Sequence, residues 1–224
     1  MDRFTTRLAA LGLAALAALA GDAQAQVVIS QVYGGGGNTG APYKNDYIEL
    51  HNTGSSTVDV TGWSVQYASS GGNSWTNKTL LTGAIAPGGY YLVRQGAGAG
   101  NGADLPAAQV DGTIAMSATA GKVALVGNST TLPAVTCPTG GAIIDFVGYG
   151  GANCSETAPT PALSNTLAAL RKDDGCTDTG NNAADFATGA PAPRNAASPA
   201  RTCGVVTPTL LSIADAQEIG RAHV

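Results

Sequence analysis

Short β-prone runs, each closed by glycine or proline, follow one another along almost the whole chain, and that rhythm leaves few architectures open. Val27-Val28-Ile29-Ser30-Gln31-Val32-Tyr33 stops at Gly34-Gly35-Gly36-Gly37, and further candidate strands occupy 46–52, 58–60, 62–67, 75–81, 90–95, 122–127, 142–149 and 166–172. Strands this short, at intervals of roughly 8–12 residues, predict an all-β sandwich or barrel, here with long Gly-rich loops. In 46–52, Tyr47, Glu49 and His51 alternate with Ile48 and Leu50, the period of a strand with one face in the core and one in solvent. Glu49 is therefore expected to face outward or to cap a loop. Trp63, Val65 and Tyr67 share one face of the run at 62–67, and Trp63 is the expected plug between the sheets, because tryptophan buries a large area.

The 31 glycines and 11 prolines follow no Gly-X-Y period, which excludes collagen and leaves turns as their use. Charged residues are only 12% of the chain, so the polar surface must come from hydroxyls, amides and glycine. The net charge is −4 and no run of Lys or Arg exists, which disfavours direct nucleic-acid binding, since phosphate contacts need a basic patch.

The first residues have the form of an export signal. Arg3 and Arg7 precede an apolar run over 8–20, and Ala23-Gln24-Ala25 supplies a small-x-small cleavage pattern, so 1–25 is read as a signal peptide with Gln26 as the mature start. The run is shorter than the ~20 residues a bilayer span needs, and no other stretch qualifies, so no membrane span is expected in the mature chain. Cleavage removes Asp2, Arg3, Arg7 and Asp22 and leaves the net charge unchanged. The expected location is extracellular.

Export places Cys137, Cys154, Cys176 and Cys203 in an oxidising space, where disulfides persist. Sequential pairing, Cys137–Cys154 and Cys176–Cys203, is favoured because each bridge then closes a loop rich in Gly, Pro, Ser and Thr that has little core of its own. Each bridge would contribute ~2–4 kcal/mol. A zinc site is the rival reading. It is opposed by the lack of any CxxC spacing and of a histidine close by in the sequence.

The blocks Val27–Asn38, Asp46-Tyr47-Ile48-Glu49-Leu50-His51-Asn52, Thr61-Gly62-Trp63-Ser64-Val65-Gln66-Tyr67 and Ile85-Ala86-Pro87-Gly88-Gly89-Tyr90-Tyr91-Leu92-Val93 resemble, in this order, the bacterial lamin tail domain. The resemblance extends over about 27–197 and includes the closing run from Asp185 to Asn195. It implies an immunoglobulin-like β sandwich over 26–203. It also implies a setting on secreted or surface proteins, often beside nucleases of the endonuclease/exonuclease/phosphatase type. Thr209-Leu210-Leu211-Ser212-Ile213-Ala214-Asp215-Ala216 is similar to the first strand of a Calx-β repeat, so 204–217 is read as a linker entering a further domain. Ile219-Gly220-Arg221-Ala222-His223-Val224 can be encoded by ATC GGA AGA GCA CAC GTC, a string that resembles a common sequencing-library adapter. Residues 218–224 are accordingly read as an artefact, and the natural frame is expected to continue past Gln217.

Catalytic constellations are scarce. His51 is the sole histidine outside that tail, so the paired histidines of an endonuclease/exonuclease/phosphatase site cannot come from this segment; no Gly-x-Ser-x-Gly elbow is present. Gly34–Gly37 lacks the Lys-Ser/Thr and the helix of a phosphate loop. Asp173, Asp174, Asp178, Asn181, Asn182 and Asp185 gather oxygen ligands near Cys176 and form the calcium candidate, although their spacing is not that of an EF-hand and Asp and Asn are also ordinary turn residues. Tyr43-Lys44-Asn45-Asp46-Tyr47 is either a surface contact patch or a plain strand entry. The resulting expectation is a non-catalytic secreted binding or targeting module at the front of a larger extracellular protein. The alternatives are the front of an extracellular nuclease and a free-standing surface protein. The partner is left open, with a downstream domain of the same polypeptide and a cell-surface polymer as the candidates.

Overall fold

The computed structural model describes residues 26–204. The stretches read above as a signal peptide, as a linker with a Calx-β-like start and as an adapter artefact lie outside the described residues. Twelve strands form within them: β1 (Val27–Tyr33), β2 (Asn45–Asn52), β3 (Val58–Asp59), β4 (Ser64–Ser69), β5 (Asn77–Leu80), β6 (Ala84–Ile85), β7 (Tyr90–Ala97), β8 (Val110–Asp111), β9 (Gly121–Val126), β10 (Ile143–Tyr149), β11 (Ala168–Arg171) and β12 (Phe186–Gly189). A left-handed turn at Asp173 and Asp174 and a single helical turn, Asn182–Asp185, join β11 to β12. Each longer strand coincides with a predicted run; the two-residue strands β6 and β8, and β12, carry too little alternation to be read.

Two sheets make the immunoglobulin-like sandwich. The larger has the order β12-β11-β1-β2-β7-β8 and the smaller β10-β9-β4-β5; β3 and β6 form a separate two-stranded ribbon. All pairs of the larger sheet are antiparallel except β7 with β8. The main core lies between the sheets, where Ile29, Ile48, Leu50 and Val93 of one meet Val65, Val123, Leu125 and Val147 of the other. The register of β1 against β2 shifts between Ile29 and Gln31. This bulge changes the parity of the strand, so Val27 and Ile29 point into the core before it and Val32 after it.

Both outer faces are covered as well, and this overturns the half-buried reading of β2. Tyr47, Glu49 and His51 are fully buried, because the segment 190–203 lies across the outside of the larger sheet and the loop 98–108 covers its other end. The smaller sheet has its own cover, the loop 128–142, under which Trp75, Phe146, Ala124 and Val126 pack with Leu132. Trp75 is the buried tryptophan. Trp63, expected as the plug, lies half-buried at the margin of the main core, though on the same face as Val65 and Tyr67 as expected. Each cover is anchored by one disulfide, Cys137–Cys154 for the loop and Cys176–Cys203 for the terminal strap, the sequential pairing.

Candidate functional site

The outward face of β2 presents three polar groups in a row to the strap, spaced by the two-residue period of a strand. At its centre Glu49 accepts hydrogen bonds from Ser30 Oγ (2.6 Å), Gln31 Nε2 (3.0 Å), the Arg194 backbone N–H (2.6 Å) and Arg194 Nη2 (2.8 Å). Burial raises the Glu49 pKa, and the Arg194 guanidinium opposes that shift. The guanidinium also lies 3.8 Å from the Tyr90 ring centroid and donates to Tyr90 Oη at 2.8 Å. One end of the row holds Tyr47, whose Oη donates to Gln31 Oε1 of β1 at 2.7 Å, while Gln31 Nε2 donates to Ala192 O of the strap at 2.7 Å. The other end holds His51, stacked on Tyr90 at 4.6 Å with its Nε2 3.0 Å from Arg201 O. A carbonyl only accepts, so Nε2 carries the proton and Nδ1 is a lone pair. Burial lowers the pKa of this imidazole.

A second charged centre ties the sheets together. Arg171 of β11 is fully buried; its Nε donates to Ile29 O (2.9 Å) and its Nη2 to Asp145 of β10 (2.7 Å). Asp145 Oδ2 also accepts from the Ile29 backbone N–H at 2.6 Å, at the β1 bulge. Asp178 meets Nη1 at 3.1 Å, and the guanidinium lies 4.6 Å from the Phe186 ring centroid. Each nitrogen of Arg171 and each carboxylate oxygen of Asp145 thus has at least one partner, the condition under which a buried ion pair is tolerated.

The sandwich agrees with the family to which this sequence points. A model of the Lamin Tail Domain matches residues 20–151. The chain belongs to the lamin tail domain family. The match ends before β11 and β12, yet β11 pairs with β1 and β12 with β11 in the same sheet, so the folded unit runs past the matched residues. Among solved structures, a DUF4876 family protein from Bacteroides thetaiotaomicron VPI-5482 is similar over 83% of this chain and 73% of its own, at 11% identity and a TM-score of 0.49. No curated protein matches.

In this lamin tail domain the calcium candidates do not converge. Asp173 pairs with Arg201, and Asp174 Oδ1 lies 3.4 Å from Arg194 Nη1. Asp178 and Asp185 flank Arg171, and Asp185 also accepts from Thr179 N (2.9 Å) and Thr179 Oγ1 (2.6 Å). Asn182 turns away, bonding Gly148 N, Phe146 O and Glu156. Asn181 Oδ1 is buried without a partner. Six residues adjacent in sequence are thus divided among three neighbourhoods. The Tyr43–Tyr47 stretch is a strand entry rather than a patch: Asp46 and Tyr47 are buried, and Tyr43, Lys44 and Asn45 are half-buried, with Lys44 paired to Asp104 at 2.9 Å. At the Gly34–Gly37 turn, the Gly36 N–H is taken by Asp46 Oδ1 (2.9 Å), and a Cβ at Gly36 would lie 2.0 Å from the Asn45 carbonyl carbon.

The fold also assembles what spacing could not reveal. His51, more than a hundred positions from Cys176 and Cys203 in the sequence, has its ring nitrogen and their sulfurs within 4.8 Å of one another. The argument that no histidine lies near the cysteines therefore fails in three dimensions. A cavity of about 450 Å³ opens beside this disulfide, lined by Gln26, Thr53, Ser55 and Thr202 among others. On the other sheet, a groove of about 270 Å³ runs between the cover loop and β9–β10, lined by Val126, Leu132, Pro133 and Ile143.

Proposed function

We propose that this lamin tail domain is a non-catalytic, secreted binding or targeting module that serves a larger extracellular protein. The observation that carries this reading is the use to which its buried charges are put. Glu49, Arg194, Asp145 and Arg171 are engaged with one another and with backbone groups that hold covers and sheets together. Catalysis needs an acid, base or nucleophile free to meet a substrate. Two disulfides fit an oxidising compartment, and among the described residues no helix is long and apolar enough to cross a membrane. Export by the first 25 residues completes the reading.

The second reading, favoured by the resemblance of the leading blocks to the fronts of secreted nucleases, is that the activity of the whole protein is phosphodiester hydrolysis by a domain beyond Gln217. Two measurements test these readings. Sequencing the genomic locus across the Gln217 codon is expected to show an open frame that leads into another domain; an immediate stop removes the accessory-module reading. Incubating the chain as it stands with linear and circular DNA, with and without Mg²⁺ or Ca²⁺, is expected to leave the DNA intact, and cleavage that co-purifies with the chain overturns the non-catalytic assignment.

A further inference from the structure

From the His51–Cys176–Cys203 corner we infer a redox-gated metal site, which binds a thiophilic divalent cation such as Zn²⁺ when the disulfide is reduced. Oxidised, the two sulfurs are bonded to each other and cannot ligate. Reduced, they supply two thiolates, and His51 supplies a neutral imidazole nitrogen; together these make a three-ligand set of the kind zinc accepts with a fourth position open.

Three observations beyond proximity support the inference. First, His51 is fully buried and its Nδ1 has no hydrogen-bond partner, an arrangement that costs stability unless the atom has another use. Second, the ring is already held as a metal-bound histidine is held. Its Nε2–H donates to Arg201 O, which leaves the lone pair on Nδ1, and Tyr90 stacks on its face. Third, Gly175 has φ +105°, and a Cβ there would lie 2.8 Å from Nδ1, so a glycine here keeps a side chain from crowding that nitrogen.

The geometry permits the exchange. With Zn–S near 2.3 Å, a tetrahedral site separates its sulfurs by about 3.8 Å. The Cα atoms are 5.3 Å apart, and both cysteines are half-buried, so side-chain rotation can reach that spacing while the backbone stays in place. The adjoining cavity gives a reductant, the ion and a fourth ligand from water a way in. In the redox step a dithiol gives two electrons and two protons to the disulfide, forming two thiols and its own disulfide. Each thiol then loses its proton as its bond to the metal forms, so two protons leave for each ion bound. Since Cys203 ends the strap, either state fastens the strap to the sandwich: a covalent bond under oxidising conditions and a metal clip under reducing ones.

The test uses the full chain carrying Cys137→Ser and Cys154→Ser, reduced with a phosphine under argon and titrated with Co²⁺ as the probe. A single ion per chain is expected, with thiolate-to-cobalt charge transfer in the near ultraviolet and the visible bands of a tetrahedral ion, both erased by Zn²⁺. The oxidised chain should show neither. His51→Gln, whose amide can still donate to Arg201 O, should weaken Co²⁺ binding about tenfold or more. Reduced protein that binds no better than oxidised, or H51Q with unchanged affinity and spectrum, overturns the inference. So does loss of the sheet circular dichroism on reduction that Zn²⁺ does not restore. As a readout free of these substitutions, X-ray absorption of the reduced, zinc-loaded natural sequence should require sulfur and imidazole ligands together; an all-sulfur or all-oxygen shell also overturns it.

Discussion

The covers on the two sheets do the same work with different chemistry. The loop 128–142 lies on an apolar patch, with Trp75 (1% exposed) and Phe146 beneath it, and its backbone is caught by side chains that rise from the sheet. Trp75 Nε1 donates to Val135 O (3.0 Å), Gln66 Nε2 to Thr130 O (2.7 Å) and Lys122 Nζ to Thr136 O (3.0 Å). The strap 190–203 lies on ions and a stacked imidazole, held by Glu49, Arg194, Tyr90 and His51. Apolar contact is non-directional and tolerates sliding, whereas a carboxylate that meets a guanidinium and a backbone N–H fixes one register. The loop needs only to close its sheet. The strap has to deliver Cys203 to one place.

The largest effect that separates the covers should come from Trp75→Ala. It removes the centre of the apolar patch and should cost about 3–5 kcal/mol in urea unfolding. A cost near 1 kcal/mol would mean that the loop hardly rests on that patch. Next come the disulfides. The bridges span 27 residues (Cys176–Cys203) and 17 residues (Cys137–Cys154), so chain entropy assigns about 3.5 and about 3 kcal/mol to them. Paired Cys→Ser variants should therefore differ by less than about 1 kcal/mol; a much larger penalty for the strap would show that its bridge also holds native contacts in place. Arg194→Ala should cost about 2 kcal/mol, since Glu49 stays buried but keeps Ser30, Gln31 and the backbone donor. Hydrogen exchange should quicken in 195–203 and remain unchanged in 128–142, and equal quickening of both would dissolve the distinction between the covers.

The smallest and broadest effect is that of pH. Asp46, at the end of β2 opposite His51, and Glu156, near the Cys137–Cys154 bridge, lack the ion pair that Glu49 and Asp145 possess. Burial lifts both to about 7, from 3.8 for Asp46 and 4.5 for Glu156. A carboxyl with a raised folded-state pKa holds more protons when folded. Its contribution to stability is complete below the unfolded value and is lost as pH rises through about 7. The urea midpoint should accordingly rise as pH falls from roughly 8 to roughly 5, and Asp46→Asn with Glu156→Gln should flatten that slope. A midpoint that falls over this range in the natural sequence would place the titration elsewhere.

Several of these groups were legible in the sequence and others were not, and the division follows contact distance along the chain. Alternation located β2 and the inward direction of Ile48 and Leu50, because both depend on strand geometry alone. The same alternation misplaced Glu49, because its partner Arg194 lies 145 positions away and no local pattern announces a strap. Trp63 and Trp75 look alike in sequence; which one is enclosed depends on where the loop 128–142 lands. Of the six calcium candidates, Asp173, Asp174, Asp178 and Asp185 are drawn toward Arg171, Arg194 and Arg201, which spacing along the chain does not announce.

The strand-and-turn rhythm, the sandwich and the family were readable from sequence alone, because short-range sterics and hydrophobic period act between residues close along the chain; the sequential disulfides were favoured there and not decided. Only the tertiary structure decided which outer faces are closed, which carboxylates are buried and that His51 meets Cys176 and Cys203. Those outcomes depend on side chains joined across a hundred or more positions, where the chain path, and no local preference, sets the distance.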